Sequence, residues 1–323
     1  MSSLAQSGWA IPRPVLKLST SITLAMVLVF VAVLLFVDVF AAVGVGMGAL
    51  SSARPVTALR PRHAIALALP SALAGAVAIG VRGDPFATAC FVALCCVIVA
   101  AADRHQEGLL AGMPCVVTVL VSIPGAYDPA WIAAWMVVGS LVTAGIAVLL
   151  KVPPAASPGV SASLAWRHGI VMATSAGVVM YLVQYFGIPH GYWIVVTLTV
   201  VLRPMIDHTK ARARQRVIGT VGGVFLSLLL VQTVPPWAVG IVLVACFLLM
   251  TSYSILKDYA RQVVFLTPAV LLIAPTGGVG TVASERALAT IVGTVLAGAL
   301  ALIVGRLDSR PAEPPGAVTR SAG

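Results

Sequence analysis

Twelve apolar runs follow one another along the chain, each closed by charged residues or by a proline or glycine, with only short polar stretches between them. They fall at 19–37, 39–53, 64–81, 86–102, 108–123 and 130–150 in the first half. In the second half they fall at 168–187, 191–203, 217–233, 237–255, 262–274 and 287–305. Uncharged apolar runs of this kind read as membrane-crossing helices. The pattern therefore predicts an all-α, polytopic transmembrane helical bundle of ten to twelve helices. The runs 39–53, 191–203 and 262–274 are short of the roughly 20 residues a spanning helix needs, and a half-helix or re-entrant segment would fit each of them. Arg13 and Lys17 ahead of Ile22–Val37 have the outline of a signal peptide, with Ala41-Ala42 as its cleavage site. More apolar sequence follows at once, so the segment is read as a retained helix.

The runs come in two matching sets. Residues about 152–155 apart play the same part: Arg60-Pro-Arg62 precedes the third run as Arg212-Ala-Arg214 precedes the ninth. Asp103-Arg104 follows the fourth run and Lys257-Asp258 the tenth; Pro114 lies in the fifth and Pro268 in the eleventh. Ile123-Pro124 and Ala274-Pro275 close those two runs, and Lys151 and Arg306 close the halves. Six helices is an even number, so two such units share one orientation. The expected organisation is a first six-helix unit over 1–150, a Pro/Ser-rich cytoplasmic linker over 151–166, a second unit over 167–306 and a disordered tail over 307–323. With twelve crossings and a cytoplasmic N-terminus, eighteen of the twenty Lys and Arg residues fall on the cytoplasmic side. Only Arg82 and Arg286, beside Asp84 and Glu285, fall outside. That bias orients membrane proteins and puts both termini inside.

Composition agrees. Hydrophobic residues make up 60% of the chain and charged residues 9%, too few charges to cover a soluble domain of this size. The net charge of +10 does not indicate nucleic acid as a partner, because the bases sit in short clusters between apolar runs. The expected surroundings are the lipid bilayer of a bacterial plasma (inner) membrane. Cys90, Cys95, Cys96, Cys115 and Cys246 lie inside apolar runs without metal-ligand spacing, and are read as packing residues.

The most informative stretch is 188–223. Tyr192 and Trp193 open a helix at the outer interface, where amphipathic rings settle. Arg203 to Arg216 holds five bases and Asp207, a basic loop suited to an anionic cytoplasmic surface. Gly219, Gly222 and Gly223 with Thr220 form a small face that lets two helices approach. The order Gly191-Tyr192-Trp193, Arg203-Pro204, Arg216-x-x-Gly219-Thr220-x-x-Gly223 resembles the FUSC family of fusaric-acid-resistance-like or aromatic acid exporter proteins. The resemblance is good over 165–305 and faint over 15–150. It implies efflux of aromatic carboxylic acids across the bacterial inner membrane.

An organic-anion transporter needs cations facing its path, and proton coupling needs a titratable group there. The centres of the twelve runs hold no Asp, Glu, Lys or Arg. Candidates for substrate or coupling roles therefore come from the helix ends: His190, Tyr192, Trp193, Arg203, Asp207, Arg216 and Asp258, with His208 and Asp38 further off. Each has a plainer reading: an outer turn for His190, orientation and lipid contact for Arg203 and Arg216, pairing with nearby bases for Asp207 and Asp258, a helix cap for Asp38. Tyr181 and Gln184 suit a path or a helix contact equally. Gly219, Thr220 and Gly223 are assigned to helix packing. No metal cluster, Gly-x-Ser-x-Gly or Walker loop occurs. Asp103 and Glu107, the closest acidic pair, suit a solvated turn. The reading is a non-enzymatic transporter without cofactor or metal, acting on a small organic anion. A homo-oligomer or an export-system partner is the further association expected. The alternative is a non-transporting scaffold or subunit of an export or envelope system.

Overall fold

In a computed structural model, residues 9–123, 125, 128–152, 157–273 and 279–308 are described. Among them are thirteen α-helices and one single-turn 3₁₀ helix, with no strand. In the first half these are α1 (Arg13–Phe36), α2 (Val39–Ala58), α3 (Pro61–Ala66), α4 (Ala68–Gly80), α5 (Pro85–Asp103), α6 (Gly112–Leu120) and α7 (Pro129–Leu149). In the second they are α8 (Ala162–Tyr185), α9 (Tyr192–Val201), α10 (Ile206–Thr233), α11 (Val239–Ile255), α12 (Tyr259–Ile273) and α13 (Val279–Asp308). Eight spans among the described residues are long and apolar enough to cross a membrane. They comprise α1, α2, α3 with α4, α5, α7, α10, α11 and α13. The chain is a multi-pass membrane protein.

Local chemistry sets the boundaries. Asp38, Asp84 and Asp128 each cap a helix with the side-chain carboxylate, and Pro85 and Pro129 occupy the first helical position, where no N–H is needed. Pro70 cannot donate to the Ala66 carbonyl, and the run 64–81 accordingly divides at Leu67 into α3 and α4. Asp38 also reaches across to the second half of its unit: one oxygen accepts from Ala41 N at 2.6 Å and the other from Trp131 Nε1 at 3.1 Å. Asp38→Ala should therefore lower stability by about 1–2 kcal/mol, read as a fall of a few degrees in the unfolding temperature of the purified protein. Asp38→Asn should keep most of it.

Three expectations need correcting. The run 39–53 is not short: α2 continues to Ala58 through Arg54 and Pro55, which close the apolar run without ending the helix, and Leu59 N still donates to the Pro55 carbonyl at 2.9 Å. The run 108–123 shrinks to the nine residues of α6, following a turn with Gly108 at positive φ. The basic stretch 203–216 is helix from Ile206 onward, not loop. Its alternating Ala, Arg and Gln are strong helix formers, and Asp207 in the first turn complements the helix dipole. The runs 191–203 and 262–274 stay short, as α9 and α12 of ten and fifteen residues. Ala274-Pro275, Pro124, 153–156 and most of the tail lie outside the described residues.

Within the first half α7 packs on α2 and α4, α4 on α6, and α6 on α5. Within the second α13 packs on α9 and α10, α10 on α12, and α12 on α11. The first helix of each half crosses over: α8 lies along α5, and α1 along α11. Glycines set the closest approaches. Gly139 on α7 meets the Val45 carbonyl of α2, and Gly293 on α13 meets Ile194 and Thr197 of α9. The central core draws on both halves, with Val92, Cys95, Met136, Met180 and Leu198 fully enclosed. The outer surface is apolar, with Leu28, Phe36, Phe86, Phe225 and Val295 exposed, as a lipid-facing surface requires.

The described part of the linker is tied down. Glu107 N donates to the Pro158 carbonyl at 3.2 Å and Val160 N to the Asp103 carbonyl at 3.0 Å. Arg54 Nη2 donates to Ser157 Oγ at 2.8 Å, and that hydroxyl donates to the Glu107 carbonyl at 2.9 Å.

Candidate functional site

The site sits where α9 is too short to fill its place in the bundle. Ten residues rise about 15 Å, half the roughly 30 Å of a hydrocarbon core. Two arginines are buried on longer helices, α13 and α10, that pack against α9. Arg286 on α13 is 1% exposed and Arg216 on α10 is 3% exposed. Arg286 stacks over Trp193 with its guanidinium carbon 4.0 Å from the ring centroid. Arg216 donates from Nη1 to Tyr259 Oη at 3.2 Å, while Arg212 covers the same tyrosine ring at 4.1 Å. Arg286 lies within electrostatic reach of Arg216, Tyr192 and Tyr259. The arrangement is thus two guanidinium groups in an aromatic surround contributed by α9 and α12.

Neither arginine forms an ion pair among the described residues. All three nitrogens of Arg286 and Nε of Arg216 have no hydrogen-bond partner among the described residues. The acids that could neutralise them are held elsewhere. Glu285 Oε2 accepts from His190 Nδ1 at 2.6 Å. Asp258 caps α12 at Arg261 N and pairs with the Arg261 guanidinium at 3.4 Å. A buried cation without a counter-charge is costly, and inside membrane proteins such groups mark ligand or ion paths.

The sequence candidates divide between two places. Tyr192, Trp193 and Arg216 belong to the arginine site. His190, at φ +53°, stands beside it at the start of α9 through Glu285. Arg203 lies at the other end of α9, within electrostatic reach of Arg54, Asp103, His168 and Arg212. Its backbone N–H donates to Thr209 Oγ1 at 2.9 Å, which holds the Arg203-Pro204 break between α9 and α10. Asp207 is exposed in the first turn of α10, just after the Arg203-Pro204 break. Gly219 and Gly223 press α10 onto α12, where a Cβ at Gly223 would come within 2.6 Å of Thr267 Cβ; Thr220 is buried between them. Tyr181 is on the outer surface, stacked on Tyr185.

Arg286 is the residue that sequence reasoning missed. Placed in an outer loop beside Glu285, it is instead buried in the third turn of α13, which begins eight residues ahead of the run at 287–305. Its neighbours Ser284 and Glu285 give the triplet the look of a turn. Asp103 corrects the reading of a solvated turn: it is buried, accepting from Gly108 N at 2.8 Å. No group of three His, Cys, Asp or Glu suited to a metal occurs among the described residues.

Fold and site together define a polytopic helical membrane protein with a buried cationic centre in its second half. Residues 176–300 match the family described as fusaric acid resistance protein-like. The inner membrane protein YccS of Escherichia coli (strain K12) is 30% identical over 136 residues, 42% of this chain. A Haemophilus influenzae protein is 30% identical over 133 residues, and slr1298 of Synechocystis is 31% identical over 143. The match covers 18–19% of the length of these relatives. No solved structure matches the chain.

Proposed function

We propose that the chain is an inner-membrane transporter exporting a small organic or aromatic acid. The observation that carries this is the pair of buried arginines without a carboxylate partner, in helices of membrane-spanning length. An anion is the charge such a centre accommodates, and the membrane level is where a substrate has to be held during crossing. The family of residues 176–300 supports the same reading, as does the naming of YccS as an inner membrane protein.

The proposed architecture is two parallel six-helix units with both termini cytoplasmic. Its support is that the helices pack in the same order in each half, α7 on α2 and α4 as α13 on α9 and α10. Gly139 and Gly293, which make corresponding close contacts, fall at the offset of the sequence repeat. The charge bias supports the orientation, and burying Arg286 removes one of only two bases that opposed it.

The test is accumulation of radiolabelled benzoate and 4-hydroxybenzoate in a sensitive bacterial host carrying the gene. Cells expressing the chain should hold several-fold less acid than cells with an empty vector. Unchanged accumulation across a broad panel of organic acids, with the protein present in the membrane, rejects transport and leaves the scaffold alternative.

A further inference from the structure

Resting on the anion-transport reading, the geometry points to a specific carboxylate-binding site between α9, α10 and α13, in which buried threonine hydroxyls share the ligand with Arg286 and Arg216. The independent observation concerns hydroxyls. Thr290 and Thr294 follow Arg286 at four-residue steps along one face of α13, and Thr220 follows Arg216 in the same way on α10. Thr197 on α9 lies against Gly293. All four threonines are buried, and none of their hydroxyls has a hydrogen-bond partner among the described residues.

A helical threonine ordinarily has a partner at hand, the carbonyl one turn back. This chain uses it elsewhere: Thr199 donates to the Val195 carbonyl at 3.0 Å, Thr267 to Val263 at 3.0 Å and Thr143 to Gly139 at 2.8 Å. Of the six buried threonine hydroxyls without a partner among the described residues, Thr23 and Thr118 lie on α1 and α6, three follow Arg286 or Arg216 at four-residue steps, and Thr197 is one turn on from Trp193, on which Arg286 stacks. Unmet hydrogen-bonding capacity thus gathers on the helices that carry the unmet charge. Buried polar groups are nearly always satisfied, by protein or by what binds there.

The donors also indicate the ligand's chemistry. A guanidinium offers parallel N–H groups in a planar fork, and a carboxylate accepts them with two oxygens while keeping lone pairs for hydroxyls. A halide offers no such fork. Without its anion the site confines two like charges, so the ligand is also a counter-ion on which stability depends.

Thermal unfolding of the full chain in nanodiscs of zwitterionic lipid tests this, with sodium benzoate compared against sodium chloride at equal ionic strength. Benzoate should raise the unfolding temperature of the natural sequence by several degrees beyond chloride. Arg286→Met should unfold at a higher temperature than the natural sequence in chloride, and should lose the benzoate shift. The pair Thr290→Val and Thr294→Val should keep the chloride value and need about tenfold more benzoate for the same shift.

Any of these results overturns the proposal: equal effects of benzoate and chloride, a benzoate shift that survives Arg286→Met, an unaltered benzoate requirement in the threonine pair, or an Arg286→Met chain that is less stable or no longer folds. That last result would make the arginine a structural staple on Trp193. Stabilisation by added phosphatidylglycerol but not by benzoate would overturn it too, assigning the site to a lipid headgroup. A benzoate shift in a chain that fails to change cellular accumulation keeps the site and removes transport. Accumulation changed without a benzoate shift does the reverse.

Discussion

Arg216→Gln is expected to reduce benzoate transport about 100-fold in proteoliposomes while leaving the protein's abundance in the membrane unchanged. The magnitude is that of truncating one member of a buried charged contact, about 2–4 kcal/mol. The side chain is 3% exposed and its one hydrogen-bond partner among the described residues is Tyr259 Oη at 3.2 Å, so the loss falls on the ligand rather than on the fold. Arg216→Lys should recover little, because an ammonium cannot hold Tyr259 and present a planar fork at once. Arg203→Gln should have a smaller effect, about tenfold, since that guanidinium stands half-buried at the far end of α9 among other charges. Initial uptake rates, normalised to reconstituted protein, decide it. Full rates in Arg216→Gln would leave that residue with orientation alone.

Gly139→Ala should be among the most damaging single changes to stability. The added methyl would overlap the Val45 carbonyl of α2, a backbone atom with no rotamer to yield. The facing Gly48 stands in the same relation to the Met136 backbone. Separating the two helices loosens contacts along their whole length, a cost of about 3 kcal/mol or more. In a chain of this size that is a fall of roughly 6–12 °C in unfolding temperature. Gly145→Ala on the same helix is the control, since a Cβ there meets nothing within 4 Å. It should be neutral or slightly stabilising, alanine being the better helix former. Equal behaviour of the two variants would show that the close approach at Gly139 does not govern stability.

Much of the fold was readable in the chain because lipid imposes a simple rule on it. Every span must be apolar and must satisfy its own backbone, so runs and breaks mark helices directly, and the runs 86–102 and 130–150 begin within a residue of α5 and α7. Reading failed where polar residues behave differently inside a bundle than at its edge. Arg54-Pro55 closes the apolar run 39–53, but α2 runs through both residues to Ala58. The arginines of 212–216 looked like a loop but sit on a helix that packs against α12. Arg286 was hidden for a deeper reason. Its burial depends on the Trp193 face and on the space beside a ten-residue helix, and both are contributed from some ninety residues away in sequence. The short run 191–203 was visible as an anomaly; which side chains occupy its level was not.

The crossing of α8 onto α5 bears on what kind of unit the family segment is. Its match begins at residue 176, midway along α8, and stops at residue 300 inside α13. The part of α8 left out includes Ala165, Gly169, Met172 and Ala173, all buried, and Gly169 sits directly against Ala100 of α5. A fragment cut at the borders of the match would carry half of that helix and none of the partner that covers it. What descent has kept recognisable and what folds autonomously therefore have different borders here, and the smallest piece expected to reach the native state includes α5.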